Sequence, residues 1–134
     1  MIKTVAVGTD GSDTAAKAVE FALDLAGRYD AKIVFLSAYK PVSEDRLKRE
    51  ARDAPEDVEP ALRDAEDDAR ERGLETASEA KEGDPSKVLV ELADKHNADV
   101  LVIGNKGMKR KVLGSVPNTI SHNAGCSVLI VKTT

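Results

Sequence analysis

The chain has 134 residues, 41% hydrophobic and 33% charged, with a net charge of −4. That length suits one domain around one core, and the balance of apolar and charged residues excludes a disordered chain. The acidic surplus, with aromatics at 3% and no tryptophan, excludes the basic, base-stacking surface of a nucleic-acid binder, and no apolar run is long enough to cross a bilayer.

The opening MIKTVAVGTDGS enters a strand directly, without a basic stretch leading into a long apolar one, which predicts a cytoplasmic protein. The first strand is read at Thr4 to Gly8. The turn Thr9-Asp10-Gly11-Ser12 follows, with Ser12 as a good N-cap. The first helix carries Ala15, Ala18, Val19, Ala22, Leu25 and Ala26 at helical spacing, and Gly27 is its expected stop. A second strand spans Lys32 to Ala38 and is closed by Pro41. From Ser43 to Arg72 the composition shifts to 12 acidic against 7 basic residues. Pro55 and Pro60 argue against one helix through this segment. The reading is a connection with a helical turn over 45–52, then a helix from Pro60 to Arg72 with Gly73 after its end and a thin stripe of Leu62, Ala65 and Ala69. Such a charge run reads as a solvated face.

A polar, alternating third strand, Glu75 to Lys81, suits a sheet edge. Asp84-Pro85 then supplies an N-cap and a first-turn proline for a third helix burying Val88, Leu89, Leu92 and Ala93. The fourth strand, Val100 to Ile103, is apolar on both faces and runs into Gly104. Ser115 is expected to cap a fourth helix reaching about Asn123, with Val116 and Ile120 inward and Pro117 in the first turn. The fifth strand, Ser127 to Val131, is continuously apolar and expected to be buried, with Cys126 at its start as a small inert hydrophobe. One cysteine forms neither an internal disulfide nor a zinc site alone. Strands and helices alternate throughout, the pattern of an α/β domain with a parallel sheet, and nothing divides residues 1–134 into more than one domain.

In such a sheet ligands bind beyond the carboxyl ends of the strands, where the strand order reverses. Gly8-Thr9-Asp10, Ser37-Ala38-Tyr39 and Gly104-Asn105-Lys106-Gly107 all fall at that edge. Asp10 has two readings there: a carboxylate for a ribose hydroxyl or phosphate-held magnesium, or a turn residue bonding its own backbone. Gly104 and Gly107, followed by Gly114-Ser115 at a helix start, form a place to hold phosphate, with main-chain N–H groups and the positive end of a helix dipole. Lys106, Lys109, Arg110 and Lys111 add positive charge. The sequence lacks GxxxxGK[ST] and GxGxxG, which excludes a P-loop and a dinucleotide fingerprint. His96 and His122 sit near helix ends, where the dipole explains them, so no catalytic set emerges, and without a positioned base fast hydrolysis is not expected. A phosphorylatable receiver domain would need an Asp at the end of the third strand, which here ends Ala80-Lys81-Glu82-Gly83.

Taken together, VAVGTDGS, SAYKP and GNKG…GSVPNTISHNAGCSVLIV resemble the universal stress protein family over essentially the full length. The resemblance implies a doubly wound three-layer sandwich with a five-stranded parallel sheet of order 3-2-1-4-5, and ATP or another adenine nucleotide across the ends of strands one and four. It assigns Asp10 to ribose or, indirectly, magnesium, and the Ala38 backbone to adenine. Gly104 and Gly107 would line the ribose and phosphate path, and Gly114, Ser115 and Val116 would donate to phosphate, with Gly8, Thr9, Ile103 and Asn105 completing the lining. The family's nucleotide-binding branch carries G-x2-G-x9-G-[ST]; this chain keeps the residue types with six residues, not nine, between the second and third glycines. A homodimer through Val128, Leu129, Ile130 and Val131 is also implied, which would cover an apolar edge. The function implied is a nucleotide-responsive stress or signalling regulator; the alternative is a dimeric interaction module of the same family that binds no nucleotide.

Overall fold

Five short runs of Val, Ile, Leu and Ala form the centre of the molecule because parallel strands are covered on both faces. The computed structural model describes residues 1–10, 13–39, 55–105 and 115–133. The expected Ser12 cap, the turn over 45–52, Gly107, Gly114 and the basic residues Lys106, Lys109, Arg110 and Lys111 lie outside those residues. In chain order the elements are β1 (Thr4–Gly8), α1 (Asp13–Tyr29), β2 (Lys32–Tyr39), α2 (Pro55–Glu71), β3 (Thr76–Glu82), α3 (Pro85–Lys95), β4 (Val100–Gly104), α4 (Ser115–Asn123) and β5 (Ser127–Val131). All strand pairs are parallel, in the order β3-β2-β1-β4-β5, as the resemblance implied.

Side chains alternate across the sheet and build two cores. Val5, Val7, Ile33, Phe35 and Val102 face α1 and α2, against Ala18, Ala22, Leu23, Ala26, Leu62 and Ala69. Ala6, Val34, Leu36, Leu101 and Ile103 face α3 and α4, against Val88, Leu89, Leu92, Ala93 and Ile120. The alanines of α1 bring that helix close over the middle of the sheet. The order reverses between β1 and β4: the chain leaves β1 for one face and β4 for the other.

Three helices end on a left-handed residue that closes both terminal carbonyls. Asp30 has φ 54°, Gly73 φ 79° and Asn97 φ 56°. The following amides, Ala31, Leu74 and Ala98, reach back to the carbonyls of Ala26, Ala69 and Ala93 at 2.9, 3.0 and 3.0 Å. This is the Schellman closure, which Asp and Asn tolerate as well as Gly. It corrects the expectation for α1, which runs through Gly27 and stops at Asp30. A second correction concerns Pro60, which stands inside α2 rather than at its start. Lacking an N–H, Pro60 leaves the carbonyl of Glu56 without its helical donor. Only one bond is forgone, near the helix start, and burial of Leu62 and Ala69 beyond it offsets that.

Strand β5 is less covered than expected. Ser127 and Ile130 are exposed, Val128 and Leu129 half-buried, and only Val131 is fully enclosed. The strand lies at the edge, so the apolar run shows an open flank. Cys126 is half-buried beside it, and burial, then the carboxylates of Asp94 and Asp99, push its thiol pKa up, away from thiolate reactivity. At the other edge, polar β3 is tied to α3 through Lys81–Glu91 at 2.7 Å and Glu79–Lys95 at 2.8 Å. At the amino end of the sheet Asp99 takes the N–H groups of Lys3 and Thr4 at 2.8 and 3.0 Å, which holds its carboxyl below the usual range and joins the start of β1 to that of β4.

Candidate functional site

The register decides which residues meet at the carboxyl edge. Val7 lies beside Phe35 on one side and Val102 on the other, so Gly8 and Ile103 come next, side by side. Thr9 is buried, its N–H giving to the carbonyl of Leu36 at 2.9 Å; Asp10, the next residue, is partly buried. On the far side Gly104 pairs with Val131. Gly8, Thr9, Asp10, Ala38, Ile103, Gly104 and Asn105 therefore share one edge of the sheet. Helix α4 opens at Ser115, with Val116 half-buried and Pro117 buried in its first turn.

Strand β2 outruns β1, with consequences for Ala38. Successive residues of a strand direct their backbone groups to alternate sides. The Leu36 carbonyl takes Thr9 on the β1 side, and the Tyr39 carbonyl takes the Gly83 N–H at 2.8 Å on the β3 side. The Ala38 carbonyl therefore faces the β1 side, past the last residue of β1. A carbonyl there can accept from an amino group in the ligand plane.

The two strand-end glycines prove to be packing devices. A Cβ on Gly8 would stand 3.0 Å from Leu89 Cδ1, and one on Gly104 3.1 Å from Thr133 Cγ2. Likewise the amide of Asn105 gives to the Val131 carbonyl at 2.8 Å, and its side-chain Oδ1 takes both the N–H and Oγ1 of Thr133. The Thr9 and Asn105 amides thus serve the sheet, and an anion would have to draw on amides further along the loops or at the start of α4. Sequence reasoning missed Thr133, which carried no signal; it read Leu89 as buried from its place on the apolar stripe of α3, but not as the neighbour of Gly8.

The histidines stand clear of this edge. His96 follows α3 and its Nε2 lies 2.8 Å from Glu79 Oε1, so its partner is a carboxylate on β3 rather than the dipole alone. Hydrogen bonds from Lys95 and then His96 hold the Glu79 carboxyl below its ordinary value. His122 is exposed in the last turn of α4. Among the described residues no three His, Cys, Asp or Glu side chains cluster to hold a metal, so a cation near Asp10 would need phosphate oxygens for most of its ligands.

Comparison with known proteins places these features. The universal stress protein family model matches residues 1–132. The universal stress protein Rv1636 of Mycobacterium tuberculosis (strain H37Rv) is 43% identical over 145 residues, covering 98% of this chain and 97% of its own. Universal stress protein MJ0531 of Methanocaldococcus jannaschii is 31% identical over 141 residues, covering 98% and 83%. Among solved structures, a universal stress protein in complex with cAMP superposes with a TM-score of 0.79 at 38% identity, over 99% of both chains. UspA of Lactobacillus plantarum, at 22% identity, shares the fold with a TM-score of 0.83.

Proposed function

The chain belongs to the universal stress protein family, and on that premise we propose that it binds an adenine nucleotide at the carboxyl edge of its sheet, acting as a stress-response regulator rather than a turnover enzyme. The observation that carries this is the order reversal between β1 and β4, with Asp10 and the Ala38 carbonyl on one side and the start of α4 on the other. In this reading the Ala38 carbonyl accepts from the exocyclic amine of adenine, where guanine would present an oxygen instead. Asp10 meets the ribose or, through phosphate, a magnesium ion. Gly107, Gly114, Ser115 and Val116 take the phosphate at the positive end of α4. Gly8, Thr9, Ile103, Gly104 and Asn105 form the floor.

The cAMP-bound relative supports an adenylate. A loop three residues shorter than the family's ATP-binding pattern favours a single phosphate over a triphosphate, because fewer main-chain donors are at hand. ATP, cAMP and AMP are therefore the ligands to compare. A homodimer through β5 accompanies the proposal, since Val128, Leu129 and Ile130 are an apolar flank on an open edge.

Thermal unfolding with and without each nucleotide and magnesium tests this. At a ligand concentration near 100 times Kd the folded state gains about 2.7 kcal/mol. For a domain of this length that raises Tm by roughly 8–12 °C. Replacing Gly114 and Ser115 together by alanine is expected to abolish the shift. Absence of any shift in the natural chain would leave the dimeric interaction module as the function.

A further inference from the structure

Thr133 is a polar residue that is only 3% exposed, two positions past the end of β5. Its N–H and Oγ1 both give to Asn105 Oδ1, at 2.8 and 2.9 Å. Lys17 Nζ, from α1, gives to the Thr133 carbonyl at 3.2 Å. Thr133 Cγ2 fills the space above Gly104. Asn105 returns the hold through its own N–H on Val131. Three elements (α1, β4 and β5) therefore close on one threonine, and Asn105 is where β4 hands over to the glycine-bearing segment 106–114. Two donors on a single amide oxygen fix the Asn105 side chain, and its backbone with it.

We propose that Thr133 is a positioning residue for the nucleotide site: through Asn105 it fixes the carboxyl end of β4, and so the affinity of that edge for the nucleotide. The inference rests on the nucleotide reading above. Asn105 in this account lends the floor of the site its backbone and not its amide oxygen, which is taken twice. Loosening the clasp lowers the fraction of molecules in which the site is competent, and apparent affinity falls by that fraction.

Two variants separate the clasp from mere packing. Thr133→Val keeps the branched shape and the N–H bond but removes the hydroxyl donor; Thr133→Ser keeps the donor and removes Cγ2. Amide hydrogen exchange and calorimetric titration with cAMP and ATP are read on the full chain. Thr133→Val is expected to speed exchange in the peptide spanning 104–115 at least threefold and leave the α3 peptide unchanged. It should also weaken the tighter nucleotide about threefold to tenfold, as loss of one neutral hydrogen bond allows. Thr133→Ser is expected to match the natural chain in both. Unchanged exchange over 104–115 in folded Thr133→Val, or faster exchange with unaltered affinity, overturns the proposal. If the natural chain binds neither nucleotide, the nucleotide reading and the role in affinity fall together, while exchange still decides whether Thr133 fixes the exit of β4. Should Thr133→Val not fold, Lys17→Met, which removes only the donor to the Thr133 carbonyl, is expected to speed exchange in the same peptide and in no other; its failure to do so is equally fatal.

Discussion

Gly104→Ala probes the site's root most sharply. The added methyl would stand 3.1 Å from Thr133 Cγ2 and 3.8 Å from Thr133 Oγ1. Thr133 cannot simply turn aside, because its Oγ1 is bonded to Asn105 Oδ1 at 2.9 Å. Overpacking of this kind costs about 1–3 kcal/mol. Alanine also restricts the unfolded chain, which returns about 0.4–1 kcal/mol. The net expectation is a loss of about 0.5–2 kcal/mol, measured by urea unfolding at constant m. Thr133→Ser by itself loses one buried methyl, worth about 0.5–1.5 kcal/mol. Combined, the two changes are expected to cost less than their sum by about 1 kcal/mol, because serine lacks the carbon that the new methyl meets. Additivity within about 0.3–0.5 kcal/mol in that double-mutant cycle would refute the argument that Thr133 is why residue 104 is glycine.

Replacing Glu79 by Gln should destabilise the protein at neutral pH by less than about 1 kcal/mol, because the pairs to Lys95 and His96 are partly solvated. The Glu79 carboxyl titrates below its ordinary 4.5, so its contribution is present above that pH and lost as acid passes through the lower folded value; the gap between natural chain and variant should close there, and a gap that widens with acid refutes the assignment. In competition binding, adenylates should outbind guanylates of equal phosphate number by at least tenfold, since guanine places an oxygen against the Ala38 carbonyl; equal affinities would remove Ala38 from the site. Ile130→Lys, a change at a position 44% exposed on the open edge, should leave Tm within a few degrees but convert a dimer to a monomer in light scattering; an unchanged mass places the interface elsewhere.

The sheet was legible because strands covered on both faces leave unbroken apolar runs. Val5–Val7, Ile33–Leu36 and Val100–Ile103 announce themselves in any window, and the elements between them follow by alternation. Helix ends were less so. Gly27 resembles a stop, yet Asp30 performs that role, because an aspartate can take the left-handed conformation and the next amide then closes the helix. Pro60 resembles a start, yet tertiary burial of Leu62 and Ala69 carries the helix past the bond it lacks. Of the candidate site, what was legible is that its strand-end residues share one edge, which register alone brings about. Asn105 and Thr133 were not: 28 positions separate them, and a polar pair carries no periodicity that would announce a contact. The same holds for Glu79 and His96, joined across the space between β3 and the end of α3.

The sheet's pairing is uneven. Seven residue pairs join β2 to β3, five join β1 to β2 and five join β4 to β5, but only three join β1 to β4. That narrow seam is stitched at its amino end by the Asp99 carboxylate and bridged on one face by α1. At its carboxyl end the chain parts toward opposite faces. A small molecule lodged across that end would act as a rivet between two halves of the domain, so occupancy would be felt as mechanical resistance to their separation, well away from the atoms it touches.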